Sequence, residues 1–186
     1  MMTRFLTFLL LITSLTLSSC AQAQSVKENE RLDKIHNQII TDHPALTHVS
    51  AAEIKALLSQ PDELLLLDVR EAKEFAVSHI DGAQRIDPDI SAEDFMRQYG
   101  DHVIGKTVIL YCSVGRRSSN LGARVQASLM EAGAANVSNL EGGIFRWHNN
   151  HGPLSNASGQ TENVHPYNRW WARLVARKDD IAYNAE

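Results

Sequence analysis

One cysteine and the residues after it carry the chemistry this chain is equipped for: Val108-Ile109-Leu110-Tyr111-Cys112-Ser113-Val114-Gly115-Arg116-Arg117-Ser118-Ser119. An apolar run with β-branched residues ends at a thiol. A short loop with one glycine and two arginines follows, and a helical pattern then runs from Asn120 to Ala132. This reads as a strand, a tight loop and a helix N-terminus, with sulfur at the strand's C-terminal edge. Ligands bind open α/β sheets at that edge. Amides of the loop and of the first helical turn lack intrahelical partners and point toward an anion. The helix dipole and the two arginines favour thiolate over thiol at Cys112. A thiolate in such a cradle is a nucleophile suited to an anionic or polarised substrate. A cysteine behind a buried strand is otherwise a small core hydrophobe. Arg116 and Arg117 tip the balance, since adjacent cations add nothing to a core and belong beside solvent or an anion.

The rest of the chain supplies elements that position this loop. At 186 residues it suits one domain with additions, and 44% hydrophobic with 22% charged residues is an ordinary globular composition. A net charge of −4 gives no general attraction to nucleic acid, and the cations form no long basic block. Val26 to Ile40 patterns as an amphipathic helix, preceded by a small, polar tether from Ala21 to Ser25. Leu46 to Val49 reads as a short strand. Ser50 then caps a helix from Ala51 to Ser59, with Glu53 completing a capping box. Leu64 to Leu67 is a continuous apolar run, as expected of a strand buried on both faces, and it ends at Asp68-Val69-Arg70. A short helix from Ala72 to Val77, a strand from Ala83 to Ile86 and a serine-capped helix from Ser91 to Tyr99 follow. Val137 to Leu140 is the last strand, and Gly142-Gly143 opens a short helix carrying Trp147. Strands alternating with helices imply βαβ units and a mainly parallel sheet with right-handed crossovers. Beyond Pro153, Leu154 to Val164 reads as a polar loop. Tyr167 to Ile181 patterns as a terminal helix packed on the domain, with a membrane-surface contact as the alternative reading of its tryptophans and arginines.

The N-terminus patterns as an export signal. Arg4 precedes an apolar stretch from Phe5 to Leu17, too short to span a bilayer. Leu17-Ser18-Ser19-Cys20 resembles the lipobox of bacterial lipoproteins. That resemblance implies cleavage after residue 19 and acylation of Cys20, which anchors the protein to a membrane. Ala21 rather than aspartate follows, which in Gram-negative lipoproteins favours the periplasmic face of the outer membrane. Removing Arg4 with residues 1–19 takes the net charge from −4 to −5. With Cys20 acylated, Cys112 has no intramolecular disulfide partner and is a free thiol in an oxidising compartment. The expected organisation is a signal peptide over 1–19, a tether and helix over 20–45, the α/β domain over 46–154 and a helical extension over 155–186.

Four patches resemble the rhodanese family of sulfurtransferases. Leu66-Leu67-Asp68-Val69-Arg70-Glu71 with Glu74-Phe75 is similar to the family's first signature. His79-Ile80-Asp81-Gly82-Ala83 is similar to the second, with Asp81 where proline is usual. Tyr111 to Ser118 resembles the active-site loop, and Leu140-Glu141-Gly142-Gly143, Trp147 and Gly152-Pro153 resemble the C-terminal signature. Their order and spacing are far more specific than any one patch. The resemblance implies a rhodanese-like three-layer α/β sandwich with a mainly parallel central sheet. It makes Cys112 the nucleophile that takes a sulfane sulfur and becomes a persulfide. Ser113, Val114, Gly115, Arg116, Arg117 and Ser118 would form the substrate-binding loop, with amides stabilising anionic sulfur and both arginines binding an anionic donor. Cyanide or a thiol, including one on a protein, would be the acceptor, and neither metal nor organic cofactor is implied. Asp68 and Arg70 read as structural support, His79 as a satisfied loop histidine and Trp147 as core.

Two other classes compete. A phosphatase or arsenate reductase of the same fold resembles Cys-x5-Arg, but the sixth residue after Cys112 is Ser118 and Arg117 falls one short. A binding or redox-sensing module without sulfur turnover remains the alternative, because an exposed, activated thiol oxidises readily. A thioredoxin-like role lacks the Cys-x-x-Cys pair.

Overall fold

The computed structural model describes residues 3–185, with side chains described for residues 23–185. Helix α1 (Thr3–Asp42) is followed by β1 (Thr47–Val49), α2 (Ala51–Leu57), β2 (Leu64–Asp68), α3 (Ala72–Val77) and β3 (Gln84–Arg85). Then come α4 (Ala92–Tyr99), β4 (Thr107–Tyr111), α5 (Arg116–Glu131), β5 (Asn136–Leu140) and α6 (Gly143–Asn149), and a hairpin of β6 (Leu154–Asn156) and β7 (Gly159–Thr161). The first five strands form one parallel sheet in the order β1-β5-β4-β2-β3. Among the described residues no helix is long and apolar enough to cross a membrane.

Burial of the sheet on both faces follows from the side-chain alternation of a strand. In β2, Leu64 and Leu66 enter one core with Ile109 and Tyr111 of β4, while Leu65 and Leu67 enter the other with Val108 and Leu110. The first core is covered by Leu32 of α1, Ile54 of α2 and Phe145 and Trp147 of α6. The second is covered by Phe95 of α4 and Leu121, Val125 and Leu129 of α5. The result is the expected three-layer α/β sandwich. Each fully buried leucine contributes about 2 kcal/mol by leaving water, so the four-leucine run of β2 is a large local source of stability.

Local signals hold where the determining residues are neighbours. Ser50 accepts the Glu53 amide and Glu53 accepts the Ser50 amide, as the capping box predicts. Ser91 caps α4. Four expectations change. Ala21–Ser25 is helical within α1 rather than a tether, since no glycine or proline interrupts Ala-Gln-Ala-Gln-Ser. Helix α5 begins at Arg116, four residues before the predicted Asn120, because Gly115 adopts φ 98° and starts the helix itself. Leu154 to Val164 contains the β6–β7 hairpin rather than being only a loop. Tyr167 to Ile181 is not a helix but two single 3-10 turns, Trp171–Leu174 and Lys178–Asp180. Asn168 ends its regularity by accepting the amides of Trp170 and Trp171 with its side chain, a local bond that competes with helix. The expected signal segment, residues 1–19, and the expected acylation site Cys20 lie outside the residues whose side chains are described.

Candidate active site

The site grows from the junction of β4 and α5. Parallel pairing of β4 with β2 and β5 places Cys112 at the C-terminal edge of the sheet's centre. The loop then turns sharply through Gly115 in the left-handed region. A Cβ on Gly115 would lie 3.0 Å from Asn139 Nδ2, so glycine serves both the dihedral and the space. The Gly115 amide donates to Cys112 Sγ at 3.2 Å, a direct stabilisation of negative charge on sulfur. No side chain caps α5, so its positive pole is left to the loop and whatever binds there.

A glycine pair at the start of α6, Gly142-Gly143, holds the loop from behind. Gly143 adopts φ 59°, and a Cβ there would lie 2.4 Å from the Cys112 carbonyl oxygen. That closeness lets the Ile144 amide donate to the Cys112 carbonyl at 2.9 Å and the Phe145 amide to the Ser113 carbonyl at 3.1 Å. The backbone around the thiol is thereby fixed by α6, a framework that orients a nucleophile before substrate arrives.

Asp68 and Arg70 form a fully buried pair. Arg70 Nε and Nη2 donate to the two carboxylate oxygens at 2.8 and 2.6 Å, and Nη2 also donates to the Ser78 carbonyl at 2.6 Å. The Arg70 guanidinium lies 5.9 Å from the Tyr111 ring centre, and the Tyr111 hydroxyl accepts the Ile80 amide at 3.1 Å. These bonds tie the end of β2 and the chain after α3 to the residue preceding Cys112. They position the loop and do not reach the thiol.

The structure brings Cys112, Ser113, Val114, Arg116 and Arg117 to one recess of about 170 Å³. Gly115 contributes its amide. Cys112 is 1% exposed, so a substrate meets sulfur only at the bottom of this recess. One expectation about the loop is corrected, and Arg117 lines the recess already paired within the protein. Ser118 is fully buried and donates its hydroxyl to Asn139 Oδ1 at 2.6 Å, so it supports β5 rather than contacting a ligand. Arg117 is occupied: Nη1 and Nη2 donate to Glu74 Oε2 and Oε1 at 2.7 and 2.9 Å, and Nη2 also donates to Ser113 Oγ at 3.0 Å. Arg116 is exposed.

Glu74 was missed as a site residue, although it stands within the first signature patch. Its carboxylate also accepts the Ser113 hydroxyl at 2.9 Å and the Glu71 amide at 3.1 Å. Burial by itself would raise the Glu74 carboxyl, but the hydrogen bonds and charge of Arg117, with the charge of Arg70, outweigh it and hold the group below its ordinary range. Tyr167 and Trp171 were missed as well. They complete the recess from the far end of the chain, and no local pattern announces that contact. Trp147 is core, its Nε1 donating to the Pro153 carbonyl at 2.9 Å. His79 stacks on Phe75 with ring centres 3.8 Å apart, and its Nδ1 lies 3.1 Å from the Phe75 carbonyl.

Residues 50–150 match the Rhodanese-like domain family, and the chain belongs to that family. A relative from Mycobacterium tuberculosis named "Probable adenylyltransferase/sulfurtransferase MoeZ" is 34% identical over 53% of this chain and 24% of its own length. A tRNA uridine(34) hydroxylase from Bordetella parapertussis is 33% identical over 62% of this chain and 51% of its own length. The chain thus spans about half of one relative and a quarter of the other. Among solved structures, the BH2092 protein from Bacillus halodurans is similar with a TM-score of 0.48 and 20% identity, over 68% of this chain and 88% of that one.

Proposed function

We propose that the protein moves a sulfane sulfur from an anionic donor, thiosulfate or a persulfide, to a thiophilic acceptor through a persulfide on Cys112. The observation that carries this reading is the Gly115 amide directed at Cys112 Sγ at 3.2 Å, at the bottom of a recess open to small molecules. In the first half-reaction the thiolate attacks the outer sulfur of the donor. A sulfur–sulfur bond forms to Cys112, and the donor's own bond breaks with its electron pair leaving on sulfite or a thiolate. In the second, cyanide or a thiolate attacks the outer sulfur, the Cys112 bond breaks and the Cys112 thiolate returns. The Gly115 amide and the positive pole of α5 offset charge at Cys112 in both directions. The name of the M. tuberculosis relative agrees with this chemistry, whereas the hydroxylase relative shows that family membership alone does not choose the reaction. The loop itself favours sulfur over phosphorus: Arg117 is held by Glu74, and Ser118 stands where a phosphatase of this fold has its arginine.

The test is thiocyanate production from thiosulfate and cyanide by the protein and its Cys112→Ala variant, followed by sulfur loading from persulfide donors. Activity that disappears with Cys112 supports the reading. Failure of every donor to load Cys112 rejects it in favour of a binding or oxidant-sensing module. The same proposal places the enzyme on the periplasmic face of a membrane through Cys20. Incorporation of labelled fatty acid, lost in Cys20→Ala, checks that placement, and equal labelling of both proteins rejects it.

A further inference from the structure

The C-terminal segment makes a wall of the recess from residues outside the family-matched 50–150. Tyr167 and Trp171 stand opposite the loop that carries Cys112. Their position is built. Val164, Leu174 and Val175 are buried in the same core as β2 and β4. Asn149 of α6 clamps the segment twice, donating to the Leu174 carbonyl at 2.9 Å and accepting the Ala176 amide at 2.8 Å. Tyr167 has φ 66°, a left-handed conformation that a tyrosine rarely adopts. Its amide is held by His165 Nδ1 at 3.0 Å. Backbone strain that the surroundings enforce at a ligand-facing position is a pointer to function. The Arg117 guanidinium lies 4.8 Å from the Tyr167 ring centre, so the wall and the loop touch.

The charge of the recess is smaller than its composition implies. Arg117 is neutralised by Glu74, which is fully buried. The Ser113 hydroxyl is engaged by the same carboxylate. Among the described residues lining the recess, Arg116 is the one cation without a carboxylate partner, and it is exposed. Beside the thiol the recess is therefore lined by Val114, two aromatic rings, the Glu74-paired Arg117 with Ser113, and one solvated cation, Arg116. A compact dianion such as thiosulfate meets the positive pole of α5 and one unpaired cation here, gives up its hydration for them and leaves both rings unused. A donor with a flat or apolar carbon body would bury that body on the rings.

We propose that Tyr167 and Trp171 are specificity-determining residues of this site and that they select, as sulfur donor, an organic persulfide with an apolar or aromatic body over thiosulfate. The proposal rests on the sulfur-transfer reading above. The Cys112 thiolate attacks the outer sulfur of R–S–SH. A bond forms between Cys112 Sγ and that sulfur, which keeps its proton. The donor's S–S bond breaks, and its electron pair leaves with the inner sulfur as R–S⁻. No oxidant or reductant enters. Arg116 offsets the charge of the departing thiolate, while the carbon body stays against Trp171.

The test is single-turnover loading of Cys112 by benzyl hydropersulfide and by thiosulfate, read as a gain of one sulfur atom in the intact protein's mass after an alkylating quench. Cys112→Ala serves as the blank. The full chain loads from the benzyl donor at least about tenfold faster than from thiosulfate. Trp171→Ala and Tyr167→Ala each lower that ratio by about tenfold, the size of one lost aromatic contact. A general loss of folding would slow both donors alike and leave the ratio intact, so the ratio isolates selectivity. Trp171→Phe retains a ring and keeps a ratio between those of the full chain and Trp171→Ala. A ratio unchanged in the alanine variants, or a preference for thiosulfate in the unaltered chain, overturns this inference while leaving sulfur transfer standing. No loading from either donor, or equal loading in Cys112→Ala, overturns sulfur transfer and this inference with it.

Discussion

The floor and the wall of the recess are built by opposite means. The floor, Cys112 to Arg117, lies at a strand–helix junction. Its backbone is fixed by Gly115, by the sheet beneath and by two amides of α6. The wall, Tyr167 and Trp171, sits on irregular chain and is fixed by what lies beneath it: buried Val164, Leu174 and Val175 and the two bonds to Asn149. A regular element carries its own hydrogen bonds and can present a nucleophile at a set angle. Irregular chain must borrow its order from the core. The proposed nucleophile thus rests on regular structure, and the surface proposed to choose among substrates rests on irregular chain held by the core.

The largest test of this contrast is truncation after Leu154. It exposes the core beneath the wall and removes the burial of Val164, Leu174 and Val175. The expected loss is on the order of 5 kcal/mol, read as a lower urea midpoint. Unchanged stability would mean the wall is merely attached.

Glu74→Gln comes next. It leaves the Arg117 charge without its carboxylate at a mostly buried position, a change that costs about 3 kcal/mol. It also gives the recess a second uncompensated cation. Thiosulfate loading should rise relative to benzyl hydropersulfide. A fall in both together would show that Glu74 serves the floor's geometry alone.

Acid weakens the anchoring of the wall. His148 of α6 lies 3.0 Å from the Glu162 carbonyl oxygen in the C-terminal segment. Burial and then the nearby Arg177 charge push it down to about 4, against the opposing influence of Glu162 and Asp180. The unfolded chain therefore takes up this proton first as pH falls from 6.5, and stability is lost between 6.5 and about 4. The loss is about 3 kcal/mol, read from melting temperatures across that range. His48, pushed down to about 4 by burial and by His36 and His43, acts in the same window. His148→Asn should flatten part of the profile, and an identical profile would assign it to His36, His48 and His165, which burial also pushes down.

Gly115→Ala is the mildest change and the most local. The left-handed backbone costs alanine about 1 kcal/mol, and the new methyl crowds Asn139. The loading rate should fall with both donors equally, because the amide at Cys112 moves while the wall does not. A donor-dependent effect would break the division between floor and wall.

Legibility followed sequence distance. The capping box at Ser50 and Glu53, the buried run Leu64 to Leu67 and the strand leading into Cys112 all lie where local pattern placed them. The start of α5 was misplaced by four residues because one glycine dihedral decides it. Arg117 read as a donor-binding cation because its partner stands 43 positions earlier, on another helix. Ser118 read as a ligand contact because Asn139 lies 21 positions on, in the neighbouring strand.

The sequence by itself determined the alternation of strands and helices, the two-faced burial of the sheet and the presence of a thiol at a strand's C-terminal edge. Those follow from periodicity and from residues a few positions apart. Only the tertiary structure decided which arginine keeps its charge for a ligand and which surface faces the sulfur. Ion pairing and pocket lining depend on distances across the fold, and a linear pattern carries no record of which distant carboxylate or ring the chain will bring to a cysteine.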